Sequence, residues 1–373
     1  MEFERDIAGA APSFPESFVK GYLGTAGHCL NWLLASERKS GGSAAHATPF
    51  LGWSRAYPET TGYIIPSLLD LGDRLHDARA EPAARRFGHW LLSIQDDEGY
   101  WRGGLYPYSS SSSSSVFNTG QILFGLARLA ARDPSGPWID AAQRGSDWLI
   151  GGLDSCGIWT GGHYRGHQPA YYTHVAWPML EYAAVAGDDK AAMAAGLVLD
   201  GVLDRCLANG AIEGWGFDTE KPSFTHTIAY TLQGLLESAK ITGHARWRQA
   251  TLAPMERLRR AGELSGGRLP GSFDLDFRPD KSFECPTGSA QIALCCLRLY
   301  EQDGDLRWLN LACKLADRLG GVQTRGISEA QRGAIPGSVP FWGPYMRFRS
   351  PNWAAKFTAD AMLQLCDALE GLE

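Results

Sequence analysis

The sequence predicts an all-α fold, an (α/α)6 toroid: a ring of six inner helices wrapped by six outer ones, with long loops at one end. Three observations predict it. A 58-residue internal repeat places the Trp32, Trp90 and Trp148 of NWLL, HWLL and DWLI at equal spacing; Trp101 follows Trp159's interval, and Thr61-Gly62 and Thr119-Gly120 keep the same register. Self-similarity at such a period marks repeated helical units. Two kinds of helical segment alternate, one apolar on most sides and one with a single apolar stripe; the first kind is buried all round and the second covers it. No stretch sustains the alternation of a strand, so sheet is expected only as short hairpins in loops.

In chain order, the striped outer helices are expected at 20–36, 79–95, 135–150, 188–208, 244–262 and 304–319. The apolar inner helices are expected at 60–73, 117–131, 172–186, 225–241, 286–301 and 351–369, with a third Thr-Gly marker at Thr287 in TGSAQIALCCLRL. Residues 1–19 read as an N-terminal extension and 20–373 as one toroid domain. Outer-to-inner connections are long and rich in Gly, aromatic and charged residues (37–59, 96–116, 151–171, 209–224, 263–285 and 320–350), whereas inner-to-outer ones are short. The long loops therefore emerge together around the N-termini of the inner helices, where free N–H groups and the helix dipole favour an anion. Long loops in a compact domain carry function. The serine run 109–115 reads as a low-complexity insert without chemistry.

Composition narrows the class. Hydrophobic residues make up 44%, charged residues 20%, and the net charge is −6, a balance that argues against a nucleic-acid partner. No apolar run is long enough for a membrane span, and the N-terminus lacks the pattern of a secretory signal. Eight scattered cysteines without a CxxC motif suggest a reduced, cytoplasmic protein with buried thiols. No phosphate-binding glycine loop or GxSxG elbow occurs, and the histidines of HYRGH lack an obvious acidic third ligand, so neither cofactor nor metal is expected.

Three loops and helix starts gather proton-transfer groups. His163, Tyr164, Arg165 and His167 lie in the third long loop, with Tyr172 and His174 just beyond; His and Tyr are proper acids and bases once their surroundings tune them. His174 and His226 each open an inner helix, in THVAWPML and THTIAYTL, and are expected to face one central cavity as base and acid. Glu59 precedes the first inner helix, and Glu213 and Asp218 flank Trp215, offering the paired carboxylates of glycoside hydrolysis. Segment 322–356 holds Arg325, Arg332, Arg347, Arg349 and Lys356 against the single Glu329. Arginine grips carboxylates and phosphates with paired N–H bonds, so Arg347, Arg349 and Lys356, with Asn352 and Trp353 beside them, are expected to hold an anionic sugar. Trp101, Phe341, Trp342 and Tyr345 are candidate stacking platforms.

QDDEGYW (95–101) resembles the terpenoid-cyclase and prenyltransferase toroids. YPETTGYIIPSLL (57–69), EGWGF with PSFTHTIAYTLQGLL (within 213–236) and PNWAAKF (351–357) are similar to a toroid family of bacterial exopolysaccharide gene clusters, and loosely to the helical domain of glucuronyl C5-epimerases. The aspartate-rich acid motif of terpene cyclases and the zinc ligands of prenyltransferases and lanthionine cyclases are not evident. The resemblance implies an enzyme acting on an acidic, uronate-containing polysaccharide or its lipid-linked oligosaccharide precursor. The expected reaction is proton abstraction at C5, ending in epimerisation or β-elimination. Glycoside hydrolysis and polysaccharide binding without catalysis are the alternatives, with isoprenoid cyclisation the weakest.

Overall fold

The computed structural model describes residues 16–163, 166–326 and 332–372. Among them are twelve α-helices. The outer set is α1 (Glu16–Ala35), α3 (Ala80–Ser93), α5 (Trp138–Gly151), α7 (Asp189–Leu203), α9 (Ala245–Leu264) and α11 (Leu306–Val322). The inner set is α2 (Pro58–Leu75), α4 (Val116–Arg132), α6 (Thr173–Ala186), α8 (Thr225–Thr242), α10 (Pro286–Asp303) and α12 (Asn352–Glu370). Each inner helix packs on the next, and α12 returns to α2, closing the ring. The (α/α)6 toroid is therefore the observed fold.

The repeat has a packing cause. A Cβ built on Gly62 would stand 2.6 Å from the Ile122 Cα of α4, and one on Gly288 would stand 2.6 Å from the His226 backbone nitrogen of α8. The Thr-Gly marker is thus where neighbouring inner helices touch backbone to backbone, a spacing only a residue without Cβ permits. Its threonine holds the preceding loop: Thr61 and Thr119 hydroxyls accept from the Ser43 and Trp101 N–H groups at 2.9 and 3.0 Å. The loop tryptophans repeat as well, since the Trp101 and Trp159 indoles donate to the carbonyls of Leu91 and Leu149, each at 2.8 Å.

Helix boundaries follow local chemistry. Asp188 caps α7 by accepting from Lys190 and Ala191 N–H at 3.0 and 3.1 Å, and Ser115 caps α4 by accepting from Asn118 N–H at 3.1 Å. α1 begins at Glu16, four residues before its expected start, and two other boundary differences bear on the site. α2 begins at Pro58, so Glu59 lies inside its first turn, where proline is tolerated and a carboxylate suits the dipole. A 3-10 turn over Ala170–Tyr172 precedes α6, so Tyr172 is outside that helix.

Sheet is confined to the long loops. β1 (His46–Thr48) pairs antiparallel with β2 (Gly52–Trp53) and β6 (Ser350–Pro351). β3 (Ser223–Phe224), β4 (Pro270–Phe273) and β5 (Pro279–Glu284) form a second antiparallel sheet in the order given. The β1–β6 pairing ties the first long loop to the last. Beside it, buried Asn352 accepts from the Trp32 indole at 3.0 Å and donates to Ser43 Oγ at 2.7 Å and to the Ala44 carbonyl. No described helix is long and apolar enough to cross a membrane.

Candidate active site

A cavity of about 800 Å³ opens among the long loops. Aromatic side chains line much of one part of its wall, among them Phe117, Tyr171, Phe224, Tyr230, Tyr345 and Trp353. The last two are locked together, the Trp353 indole donating to the Tyr345 hydroxyl at 2.8 Å. Glu59, His163, Asp218, Lys221 and His226 bring charged or titratable groups.

Glu59 is half-buried and reached through this cavity, and it accepts a hydrogen bond from the Tyr57 hydroxyl. Burial pushes its carboxyl up to about 7, against the opposing pull of Tyr57. At neutral pH the group is poised between acid and carboxylate. His226 is 3% exposed, and its Nδ1 lies 2.6 Å from Gln291 Oε1. Gln291 in turn donates through Nε2 to Gln233 at 3.3 Å. With the amide oxygen turned to the ring, Nδ1 carries the proton and Nε2 keeps its lone pair. Burial lowers the imidazole to about 4, although Gln291 supports the charged form. Burial therefore favours the neutral imidazole of His226 at pH 7.

The two histidines do not share this cavity. His174 lines a second cavity, of about 770 Å³, at the short-turn end of the barrel. Its Nδ1 is held by Gln121 of α4 at 3.1 Å, while His226 is held from α10 on the other side. Tyr230 packs against both rings, with centroids at 4.3 Å from His174 and 4.2 Å from His226. Burial, with Lys356 and His226 nearby, keeps His174 well below the usual histidine range.

Lys356 also belongs to the second cavity. Its ammonium is bound by Asp360 at 2.5 Å, one turn along α12, and lies 4.4 Å from the Phe357 ring. Arg347 and Arg349 are exposed and outside the lining of the upper cavity. The expected cluster of Arg347, Arg349 and Lys356 around one anion is thus not assembled.

The other expected residues divide clearly. Trp353, Tyr345, His163 and Glu59 line the upper cavity. Trp101 and Trp215 are fully buried in the core, and Asn352 is fully buried at the ring closure, so none of them reaches the cavity. Tyr172 is buried behind the wall, stacked on Phe117 at 5.9 Å. Glu213 is exposed outside the lining, and Trp342 is 64% exposed. Tyr164 and Arg165 lie outside the described residues. The serine run contributes Ser109 and serines 111–115 to the wall, against the expectation of an idle insert. Tyr171, beside Tyr172 in the expected cluster, lines the cavity, and Tyr57 and Tyr230 were unforeseen. Tyr230 follows His226 by four residues, one helical turn, and that spacing was readable.

No family model matches the sequence, and no curated protein sequence matches it. The fold is shared with solved structures. An unsaturated glucuronyl hydrolase specific for heparin superposes with a TM-score of 0.76 at 14% identity, over 95% of this chain and 99% of that one. Cellobiose 2-epimerase from Bacillus thermoamylovorans B4167 gives 0.76 at 12% identity, over 95% and 100%. A D-mannose isomerase gives 0.73 at 10% identity, over 96% and 99%. This chain is similar to these sugar-processing enzymes in fold.

Proposed function

We propose that the protein is a carbohydrate-active enzyme that works by proton transfer in the long-loop cavity, with His226 as base and Glu59 as acid. The observation that carries this reading is that a neutral imidazole and a carboxyl near 7 line the same aromatic cavity. Aromatic faces suit the apolar faces of sugar rings, and the serine hydroxyls can match sugar hydroxyls. The shared fold of an epimerase, an isomerase and a glycan hydrolase supports the substrate class.

In this scheme His226 Nε2 takes the proton from the carbon beside a sugar carbonyl. The electron pair moves into the carbonyl, whose oxygen takes the Glu59 proton. When the enediol turns its other face to His226, return of the proton from Nε2 to the same carbon, with the O–H proton going back to Glu59, gives an epimer; return to the former carbonyl carbon, with the neighbouring hydroxyl giving its proton to Glu59, gives an isomer. The same chemistry at C5 of a uronate needs a cation to neutralise the sugar carboxylate. Arg347, Arg349 and Lys356 are not placed for that, so an acidic polysaccharide or lipid-linked oligosaccharide as substrate rests on the sequence resemblance. Hydrolysis is the second reading, favoured by Asp218, which lines the same cavity as Glu59 and pairs with Lys221 at 3.1 Å.

Incubation with mannose, cellobiose and a uronate polymer in deuterated water separates these readings. Proton transfer predicts carbon-bound deuterium in recovered sugar, lost in Glu59→Gln and His226→Asn. New reducing ends without deuterium would replace it by hydrolysis. Polymer binding with neither change would leave a binding protein.

A further inference from the structure

The cavity at the short-turn end takes no part in that chemistry, yet it is nearly as large as the first, about 770 Å³ against about 800 Å³. Three polar atoms on its wall, Tyr63 Oη, Ser67 Oγ and His174 Nε2, are buried without a hydrogen-bond partner. Their residues are 2%, 1% and 1% exposed. Gln233 beside His174 and Tyr230 beside Tyr63 make loose polar contacts with two of these groups, short of a well-formed hydrogen bond, and Ser67 has neither. A buried polar atom left unpaired is costly, and three on one wall call for a polar occupant.

We propose that this cavity is a second binding site, for a small uncharged polyhydroxyl ligand such as a monosaccharide or polyol. The charge pattern selects against an ion. Lys356 is bound by Asp360 at 2.5 Å and Arg298 by Glu237 at 2.9 Å, both pairs largely buried. A charged ligand would have to break one of these pairs, and leaving its partner buried alone is expensive. Hydroxyl groups complete the wall without that loss. Gln121 donates its amide N–H to the His174 carbonyl, so its oxygen faces the ring and His174 Nδ1 holds the proton. His174 Nε2 is then an acceptor for a ligand O–H. Ser67 and Tyr63 each offer a hydroxyl that donates or accepts. Trp177, held through its indole N–H by Glu181 at 2.9 Å, adds an apolar ring for the carbon face. The site does not depend on the reaction assigned to the upper cavity.

The test is titration of the full chain with D-mannose and with D-glucuronate, followed by calorimetry and by saturation-transfer NMR. Mannose binding at this second site is expected to persist within about twofold in Glu59→Gln and Trp353→Ala, which alter only the upper cavity, and to weaken at least about tenfold in Ser67→Val and His174→Phe. Glucuronate is expected to miss this site. Ser67→Val removes an unpaired hydroxyl, so it should fold and melt like the parent; if either variant fails to fold, difference density from a mannose-soaked crystal of the parent decides the matter. Density touching His174 and Ser67 supports the site. Loss of all mannose binding in the upper-cavity variants, no saturable binding, an empty cavity after soaking, or equal binding of glucuronate at His174 would each overturn the proposal.

Discussion

Glu59 and His226 shift in opposite directions for the same reason, loss of hydration of the charged form. Their consequences for pH are opposite too. Glu59 is raised from 4.5 to about 7, so its contribution to stability is full below about 4.5 and is lost as pH rises through about 7. His226 is lowered from 6.5 to about 4, so its contribution is full above 6.5 and is lost as pH falls towards 4. Catalysis with neutral His226 and protonated Glu59 should give a bell-shaped profile, falling below about 4 and above about 7 in kcat/KM. In Glu59→Gln the chemical step should be lost, while stability at pH 8 rises relative to the parent by up to about 3 kcal/mol and is little changed at pH 4.5. Thermal melts at the two pH values check the sign; a flat difference would show that burial does not act on this carboxyl. Sequence reasoning found both residues. It could not find their protonation states, which depend on Tyr57, Gln291 and the depth of the cavity.

Among elements, the Thr-Gly marker separates packing from capping. Ala at position 288 would place Cβ against the backbone nitrogen of His226, an atom that cannot swing aside. Gly288→Ala should therefore cost about 1–3 kcal/mol as an overpacked contact and lower kcat as well, because it displaces the base. Asp188→Ala, which removes only an N-cap far from the site, should cost about 1 kcal/mol with kcat unchanged. Denaturant titration beside a rate measurement distinguishes the two. The marker was legible because close helix approach demands the same residue in the three copies that carry it. The serine run was not, since its composition resembles a spacer and only its position beside Gly103 and Gly104 makes it part of a wall.

At the scale of the whole molecule, closure depends on one side chain more than on the cations near it. Asn352 joins α12 to Trp32 of α1 and to Ser43 and Ala44 of the first long loop. Asn352→Ala strands the Trp32 N–H and neighbouring groups in the core, and should lower stability by about 3 kcal/mol, from about 1–3 for each buried group left unpaired. Arg347→Ala and Arg349→Ala, on the exposed rim, should change it by less than about 0.5 kcal/mol. If denaturation midpoints showed the arginines to matter more, the assignment of ring closure to Asn352 would fail. RFRSPNWAAKF thus divides between rim, closure, cavity wall and far cavity, although its residues are adjacent in sequence.

The sequence by itself determined the number of helices, their alternation between inner and outer rings, and the end at which the loops gather. These follow from apolar periodicity and from a repeat that every unit must obey to pack on its neighbours. It also determined that Glu59, His226, Tyr345 and Trp353 stand near inner-helix starts. Only the tertiary structure decided which cavity each side chain enters. One residue along a helix turns a side chain by about 100°, and the rotation of each helix is set by partners on others, as with Gln121 for His174 and Gln291 for His226. The two histidines that share a place in the repeat therefore serve opposite ends of the barrel.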